Sequence, residues 1–174
     1  KDHLSYCSSV CCSATIKQIK QLKSLHPGAK CTVFYQDMRC FGFDEDLYQE
    51  LKSESDVLFV RGFPRVNESD LIDGKMNLTV EDTFSGLPVN TEIDLLVLAG
   101  GMQPSSGGLE FAELSGLPLN KHRFFIGHYQ CYPEESQRTG ILTAGCARGP
   151  MNVSQSIESS GKAAIKALNF LEST

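Results

Sequence analysis

Residues 31–60, CTVFYQDMRCFGFDEDLYQELKSESDVLFV, decide the fold class. Cys31-Thr-Val-Phe-Tyr35 is a short β-branched and aromatic run, the composition of a strand buried in a parallel sheet. Residues 44–51 read as a helix capped by Asp44, and Val57-Leu-Phe-Val60 is again strand-like. Strand, helix and strand at so short an interval predict a βαβ unit with parallel strands and a right-handed crossover. Toward the N-terminus, Ile16, Ile19, Leu22 and Leu25 recur at three-residue steps among Lys and Gln, which predicts an amphipathic helix over 13–25. His26-Pro27-Gly28 ends it.

Beyond Arg61-Gly62-Phe63-Pro64 the period changes. Residues 77–83 and 88–93 alternate apolar and polar around Phe84-Ser-Gly86, the pattern of a hairpin with one solvated face. Asp94-Leu-Leu-Val-Leu-Ala99 is almost wholly apolar, which predicts a strand buried on both faces that ends at Gly100-Gly101. Gly140-Ile-Leu-Thr-Ala-Gly145 predicts a second strand ending in glycine, and 154–171 a terminal helix with Ile157, Ala164, Ile165 and Leu168 on its buried side. In open α/β sheets ligands bind at such strand ends and helix N-termini, where glycines and free N–H groups are presented.

The chain has 174 residues, 41% hydrophobic and 21% charged, with a formal charge of −5. This is ordinary globular composition, which excludes a disordered or collagen-like chain. Apolar runs fall short of the roughly 20 residues that a membrane span needs. The opening KDHLSYC lacks the charged and then apolar build of a signal peptide, so a soluble, cytoplasmic chain is expected. Lys17, Lys20 and Lys23 are scattered rather than clustered, which argues against a nucleic-acid partner.

Seven cysteines are the informative anomaly. Cys7, Cys11 and Cys12 fall within six positions, whereas Cys31, Cys40, Cys131 and Cys146 are dispersed. An odd and uneven set is not a secreted disulfide scaffold, and Cys31 and Cys40 read as core thiols. In a helix Cys7 and Cys11 share a face, while the vicinal Cys11 and Cys12 diverge; that suits a multi-iron cluster better than one zinc ion. Packing thiols or a redox disulfide remain open for the vicinal pair. His3, His26, His122 and His128 are scattered, and no Cys-His or Ser-His spacing supports a hydrolase.

The motifs Asp94-Leu-Leu-Val-Leu-Ala-Gly-Gly-Met-Gln-Pro104 and Thr139-Gly-Ile-Leu-Thr-Ala-Gly145, followed by a helix, resemble the closing half of a thioredoxin reductase-type flavoprotein. With Tyr6-Cys-Ser-Ser-Val-Cys-Cys12 in front, the chain is similar to the A-subunit family of heterodisulfide reductase. Tyr35-Gln-Asp-Met-Arg39, Phe41-Gly42, Phe59-Val-Arg-Gly62, Val80-Glu-Asp-Thr83 and Ala144-Gly-Cys-Ala-Arg-Gly-Pro150 extend the likeness over nearly the whole chain. The implied fold is α/β: an incomplete nucleotide-domain-like βαβ unit with a β-hairpin, then the returning C-terminal strand and helix of a Rossmann-like FAD domain. The implied division is 1–98 for the cysteine segment and NAD(P)-domain-like insertion, and 99–174 for the C-terminal part of the FAD domain. The family's upstream fourth cysteine and glycine-rich pyrophosphate loop are not among these residues, so the chain resembles a C-terminal fragment of that domain.

The resemblance implies a [4Fe-4S] cluster and FAD in the full-length protein, with Cys7, Cys11 and Cys12 as cluster ligands. It places Lys17 facing the flavin, where a cation would stabilise the reduced anionic form; the alternative is a solvated helix lysine. It places Gly100, Gly101, Met102, Gly145 and Cys146 beside the cofactor, with Cys146 standing where related reductases carry a ribityl-binding aspartate. Pro150, Met151, Asn152 and Val153 would meet the flavin's pyrimidine edge or simply cap the helix. The implied function is electron transfer between FAD and the cluster, with flavin-based bifurcation as an extension, in a complex with other heterodisulfide reductase-like or hydrogenase-linked subunits. Catalysis by the fragment alone is not expected. A non-catalytic scaffold that docks redox partners is the alternative, and a homodimer is expected to cover faces the fragment leaves open. No role is assigned to Cys131.

Overall fold

The computed structural model describes residues 4–64, 71–72, 75–128 and 131–172. The chain divides into two compact units, Cys11–Ala99 and Lys1–Val10 with Gly100–Thr174. His3 lies outside the described residues.

In the unit Cys11–Ala99, helix α1 (Cys11–Leu25) precedes strand β1 (Cys31–Tyr35), helix α2 (Phe43–Lys52) and strand β2 (Val57–Arg61). β1 and β2 pair in parallel, from Cys31 opposite Val57 to Tyr35 opposite Arg61, as expected of a βαβ unit. The core joins Ile16 and Ile19 of α1, Tyr48 and Leu51 of α2, Val57 of β2, and Cys40. Tyr48 meets Phe59 edge to face at 5.0 Å, a geometry that aromatic quadrupoles favour.

Only half of the predicted α1 stripe is buried. Ile16 and Ile19 face the core, whereas Leu25 is 67% exposed. The reason is geometric: three-residue steps fall about 60° short of a full turn each time, so a strict series walks around the helix. Asp44 is also not the cap of α2; Gly42 holds that position at φ 60, and Asp44, Glu45 and Asp46 fill the first turn, where the helix dipole favours anions.

The hairpin is present as β4 (Lys75–Glu81) and β5 (Pro88–Ile93), with the two-residue strand β3 (Leu71–Ile72) added antiparallel to β4. Leu78 and Val80 point inward from β4 while Lys75, Asn77, Thr79 and Glu81 are exposed. Asp82 closes the turn by accepting the amides of Phe84 and Ser85, both at 3.2 Å, and the Ser85 hydroxyl at 2.8 Å. The hairpin is fastened to β2 where Thr83 N–H donates to Arg61 O at 2.7 Å, and β2 to β1 where Gly62 N–H donates to Tyr35 O at 3.0 Å.

Lys23 at the end of α1 bridges Asp56 at 2.5 Å and Glu54 at 3.1 Å, tying the helix to the turn before β2. The hydrogen bond from Lys23 holds the Asp56 carboxyl below its usual range, and the Asp56 partner holds the Lys23 ammonium above its own. The Asp56 contribution is therefore present above about pH 4, the unfolded-state value, and is lost as pH falls through the lower folded value. Asp56→Asn is expected to lower the urea midpoint at pH 7 and to lower it less and less as the pH falls below about 4, and a loss that stays constant with pH would refute this origin.

The segment after β5 departs from expectation. Residues 94–99 form no strand, and Leu98 is 80% exposed. A strand apolar on both faces belongs in the middle of a sheet, and among the described residues no neighbour pairs with it. Residues 140–145 likewise contribute only an isolated bridge, Leu142 opposite Glu135, before a 3₁₀ turn at Gly145–Ala147.

The unit containing the C-terminal residues also carries helix α3 (Ser106–Ser115), for which the sequence pattern gave no expectation, and α4 (Val153–Glu172). Ser105 caps α3 by accepting Gly108 N–H at 3.1 Å, and Gly116 ends it in the left-handed conformation at φ 66. α4 lies with the opposite face inward from that predicted. Ser159 is its buried residue, while Ile157 and Ile165 are 67% and 61% exposed and Ala164 and Leu168 also lack burial. The small Ser side permits close approach to its own unit, leaving the larger apolar stripe uncovered.

Candidate functional site

Cys7 belongs to the unit with Lys1–Val10, whereas Cys11 and Cys12 open the unit Cys11–Ala99. Cys7 is exposed, and its sulfur accepts Ser9 N–H at 3.3 Å; Ser9 itself has a positive φ of 58. Cys11 and Cys12 open α1, both half-buried. The Cys12 sulfur accepts Arg39 N–H at 3.4 Å and its S–H is directed at Asp37 O, 3.9 Å away. All seven cysteines are free thiols. Among the described residues no three His, Cys, Asp or Glu side chains converge closely enough to hold a metal ion. Free thiols are the donors an iron–sulfur cluster takes, and Cys7 and Cys12 each already receive a backbone N–H of the kind that tunes cluster sulfurs.

Cys40 and Cys31 differ from the triplet. Burial pushes the Cys40 thiol up to about 11, with a smaller contribution from a neighbouring Cys12 charge. Burial also raises the Cys31 thiol. Lys17 projects from α1 into solvent.

The Gly100-Gly101-Met102 turn is engaged by its own unit. Met102 N–H donates to Ser8 Oγ at 2.8 Å, and Tyr6 O–H donates to Met102 O at 2.8 Å. Gly101 has φ 83, and a Cβ there would come within 2.7 Å of both Leu4 and Ser8. Gly100 has open space around it. Tyr6 also packs on His122 at 4.5 Å and edge-on to Phe124 at 5.7 Å. Ser5 and His122 approach at 3.4 Å, a pairing across 117 positions that local spacing could not reveal.

The second glycine turn is built more tightly. Gly145 has φ 57 and donates its amide to Ser159 Oγ of α4 at 3.2 Å. Arg148 reaches the same hydroxyl at 3.5 Å and Glu134 Oε1 at 3.3 Å, and Glu134 O accepts Thr143 N–H at 2.8 Å. The Nε of Arg148 and the hydroxyl of Thr143 are buried without a hydrogen-bond partner. A depression of about 300 Å³ lies beside this network, lined in part by Glu134, Arg148, Pro150, Met151 and Lys162. Cys146 is exposed, with its sulfur 3.6 Å from Met151 O.

At the start of α4, Asn152 and Gln155 cap each other. Gln155 N–H donates to Asn152 Oδ1 at 2.9 Å and Asn152 N–H to Gln155 Oε1 at 3.0 Å. Ser156 N–H is the first to close an intrahelical bond, to Asn152 O at 2.9 Å. The first-turn amides of Val153 and Ser154 have no upstream helical acceptor, so the residues present fit an anionic or electron-rich edge of a flavin.

No family model matches the chain. Individual proteins do. Over 167 residues the chain is 34% identical to the A subunit of ferredoxin:CoB-CoM heterodisulfide reductase from Methanosarcina acetivorans, covering 95% of this chain. Nearly the whole of this chain is homologous to part of the A subunit of heterodisulfide reductase. The iron-sulfur A subunit of CoB–CoM heterodisulfide reductase from Methanocaldococcus jannaschii is 32% identical over 154 residues, or 87% of this chain. The chain spans 21% and 23% of the length of these two relatives. Among solved structures, thioredoxin reductase from Lactococcus lactis superposes with a TM-score of 0.68 at 15% identity, covering 93% of this chain and 51% of the reductase. That likeness shows the fold: a thioredoxin reductase-like nucleotide-binding architecture, of which this chain carries an incomplete part. Among the described residues no helix is long and apolar enough to cross a membrane.

Proposed function

We propose that this chain is part of an iron–sulfur flavoprotein oxidoreductase that passes electrons between FAD and a [4Fe-4S] cluster. The observation that carries the reading is the set of free thiols Cys7, Cys11 and Cys12 in a chain homologous to a protein named for its iron–sulfur content. Cys7, Cys11 and Cys12 supply three thiolates, and the parent polypeptide supplies the fourth ligand. The Gly145 turn, Cys146, and Pro150, Met151, Asn152 and Val153 before and at the start of α4 supply the flavin contact, with Gly100, Gly101 and Met102 as the facing turn. Lys17 supplies positive charge toward reduced flavin. A flavin accepts one or two electrons and a cluster one, so the pair would convert between hydride-type and single-electron chemistry, the property on which bifurcation depends. The partners are other subunits of a heterodisulfide reductase-like or hydrogenase-linked complex in the cytoplasm.

The test is reduction of the parent polypeptide through its flavin, followed by low-temperature EPR. Wild type is expected to show a reduced-cluster signal that is lost in a Cys7→Ser, Cys11→Ser, Cys12→Ser variant whose flavin still bleaches. An unchanged signal in that variant would sink the assignment. The second reading, a scaffold that docks redox partners, draws on the uncovered apolar stripe of α4. It is favoured if the same triple variant supports full electron transfer in the assembled complex. A second copy is the simplest cover for that stripe, and light scattering showing a clean monomer would count against it.

A further inference from the structure

We infer that Cys12 and Cys40 form a thiol pair that closes to a disulfide when Cys12 is not engaged by iron. The two residues are far apart in sequence, yet the fold brings them to one turn. The Cys12 sulfur accepts the amide of Arg39, the residue immediately before Cys40, at 3.4 Å, and points its S–H at Asp37 O on the same loop. Cys12 packs against the buried cluster that contains Cys40. Cys11 is the competing neighbour, but successive helical side chains diverge by about 100°, and it is Cys12 that packs against the core containing Cys40. The pairing is argued from the position of the Cys12 sulfur alone and does not depend on Cys12 being a cluster ligand in the parent protein.

The two thiols differ in access, which orders the chemistry. Cys12 is half-buried and Cys40 is buried. A low-molecular-weight disulfide, RSSR, therefore meets Cys12 first. The Cys12 thiolate attacks one sulfur of RSSR, breaking its S–S bond, forming the mixed disulfide and releasing one RSH. The Cys40 thiolate then attacks the Cys12 sulfur and releases the second RSH. Two protein thiols are oxidised and one small disulfide is reduced to two thiols. The closed pair withdraws one of the three proposed cluster ligands and returns it on reduction, so the chain would protect that ligand from overoxidation in the cluster-free state.

The test uses the whole 174-residue chain, reduced, desalted without air and exposed to excess oxidised glutathione. Cleavage at lysine and arginine separates the peptide carrying Cys7, Cys11 and Cys12 from the one that begins at Cys40. The expected product is a cross-linked peptide pair whose fragment ions assign the bond to Cys12 and Cys40. Alkylation of Cys40 in the folded protein should fall about tenfold on oxidation and recover with dithiothreitol. Cys11→Ser should retain the link and Cys12→Ser should lose it. A bond confined to Cys7, Cys11 and Cys12, or one shared evenly among these three and Cys40, would overturn the inference. Because no iron or flavin takes part, the result is independent of whether the parent protein carries a cluster.

Discussion

Gly62→Ala is expected to be the most damaging single-methyl change in the unit Cys11–Ala99. A Cβ at Gly62 would overlap the backbone oxygen of Glu81 and come within 2.5 Å of Val80 Cγ1. Neither obstacle can swing aside: Glu81 O is main chain in β4, and Val80 is 1% exposed and packed into the unit's interior. The same few residues fasten both sheets, through Gly62 N–H to Tyr35 O and Thr83 N–H to Arg61 O. Relief requires β4 to move away from the end of β2, which breaks the Thr83–Arg61 bond. Overpacking of this kind costs about 1–3 kcal/mol, and the fixed backbone obstacle puts Gly62→Ala at the upper end, a large fraction of a small unit's stability. A urea titration should show the loss directly, whereas Gly28→Ala, at a position with open space around it, should shift the midpoint little. Equal midpoints for Gly62→Ala and wild type would mean that the hairpin is not seated on β2 as described.

In the other unit the largest effect is expected at the Arg148–Glu134 pair. The Glu134 and Arg148 side chains are 7% and 18% exposed, so neither is well solvated. Arg148→Met strands a buried carboxylate and should cost about 3–5 kcal/mol. Glu134→Leu combined with Arg148→Met removes both charges and should recover most of that loss, because a buried ion pair contributes little beyond its own desolvation. The two single variants and the double variant, compared by thermal unfolding, form the cycle that measures the coupling. Additive losses would show that the charges do not depend on each other. Ser159 also receives the Gly145 amide, so Arg148→Met should loosen the turn assigned to the flavin and weaken FAD retention in the parent polypeptide.

Sequence pattern and structure part company at identifiable places. The βαβ unit and the hairpin were legible because their signals are local: β-branched runs at β1 and β2, alternation in β4, and an Asp-Thr-Phe-Ser-Gly turn. The apolar runs 94–99 and 140–145 carry an equally strong strand signal, but a strand exists only through its neighbour, and periodicity says nothing of whether a neighbour is present. For α4 the larger apolar stripe was an obvious choice for the inner face, whereas the structure seats the helix through Ser159 and leaves Ile157, Ile165 and Leu168 exposed. The chain spans about a quarter or less of the length of its first two relatives.

The candidate site was legible to a similar degree. The cysteine triplet and the Gly145 turn are visible as spacing and composition. The grip of Tyr6 and Ser8 on Gly101 and Met102, the Arg148–Glu134–Ser159 network, and the approach of Cys12 to the turn before Cys40 are long-range contacts without a periodic signal. Only Gly101 offered a hint, since a glycine doublet after an apolar run marks a close backbone approach. The partner there is the chain's own N-terminal segment.

Iron held by Cys7, Cys11 and Cys12 is what the proposed function stands on. The most direct measurement is the iron and acid-labile sulfide content of the anaerobically purified parent polypeptide, wild type against the variant with all three changed to Ser. A loss of about four iron and four sulfide per chain, the content of one [4Fe-4S] cluster, is expected, with FAD retained. Equal iron and sulfide in the two proteins would contradict it.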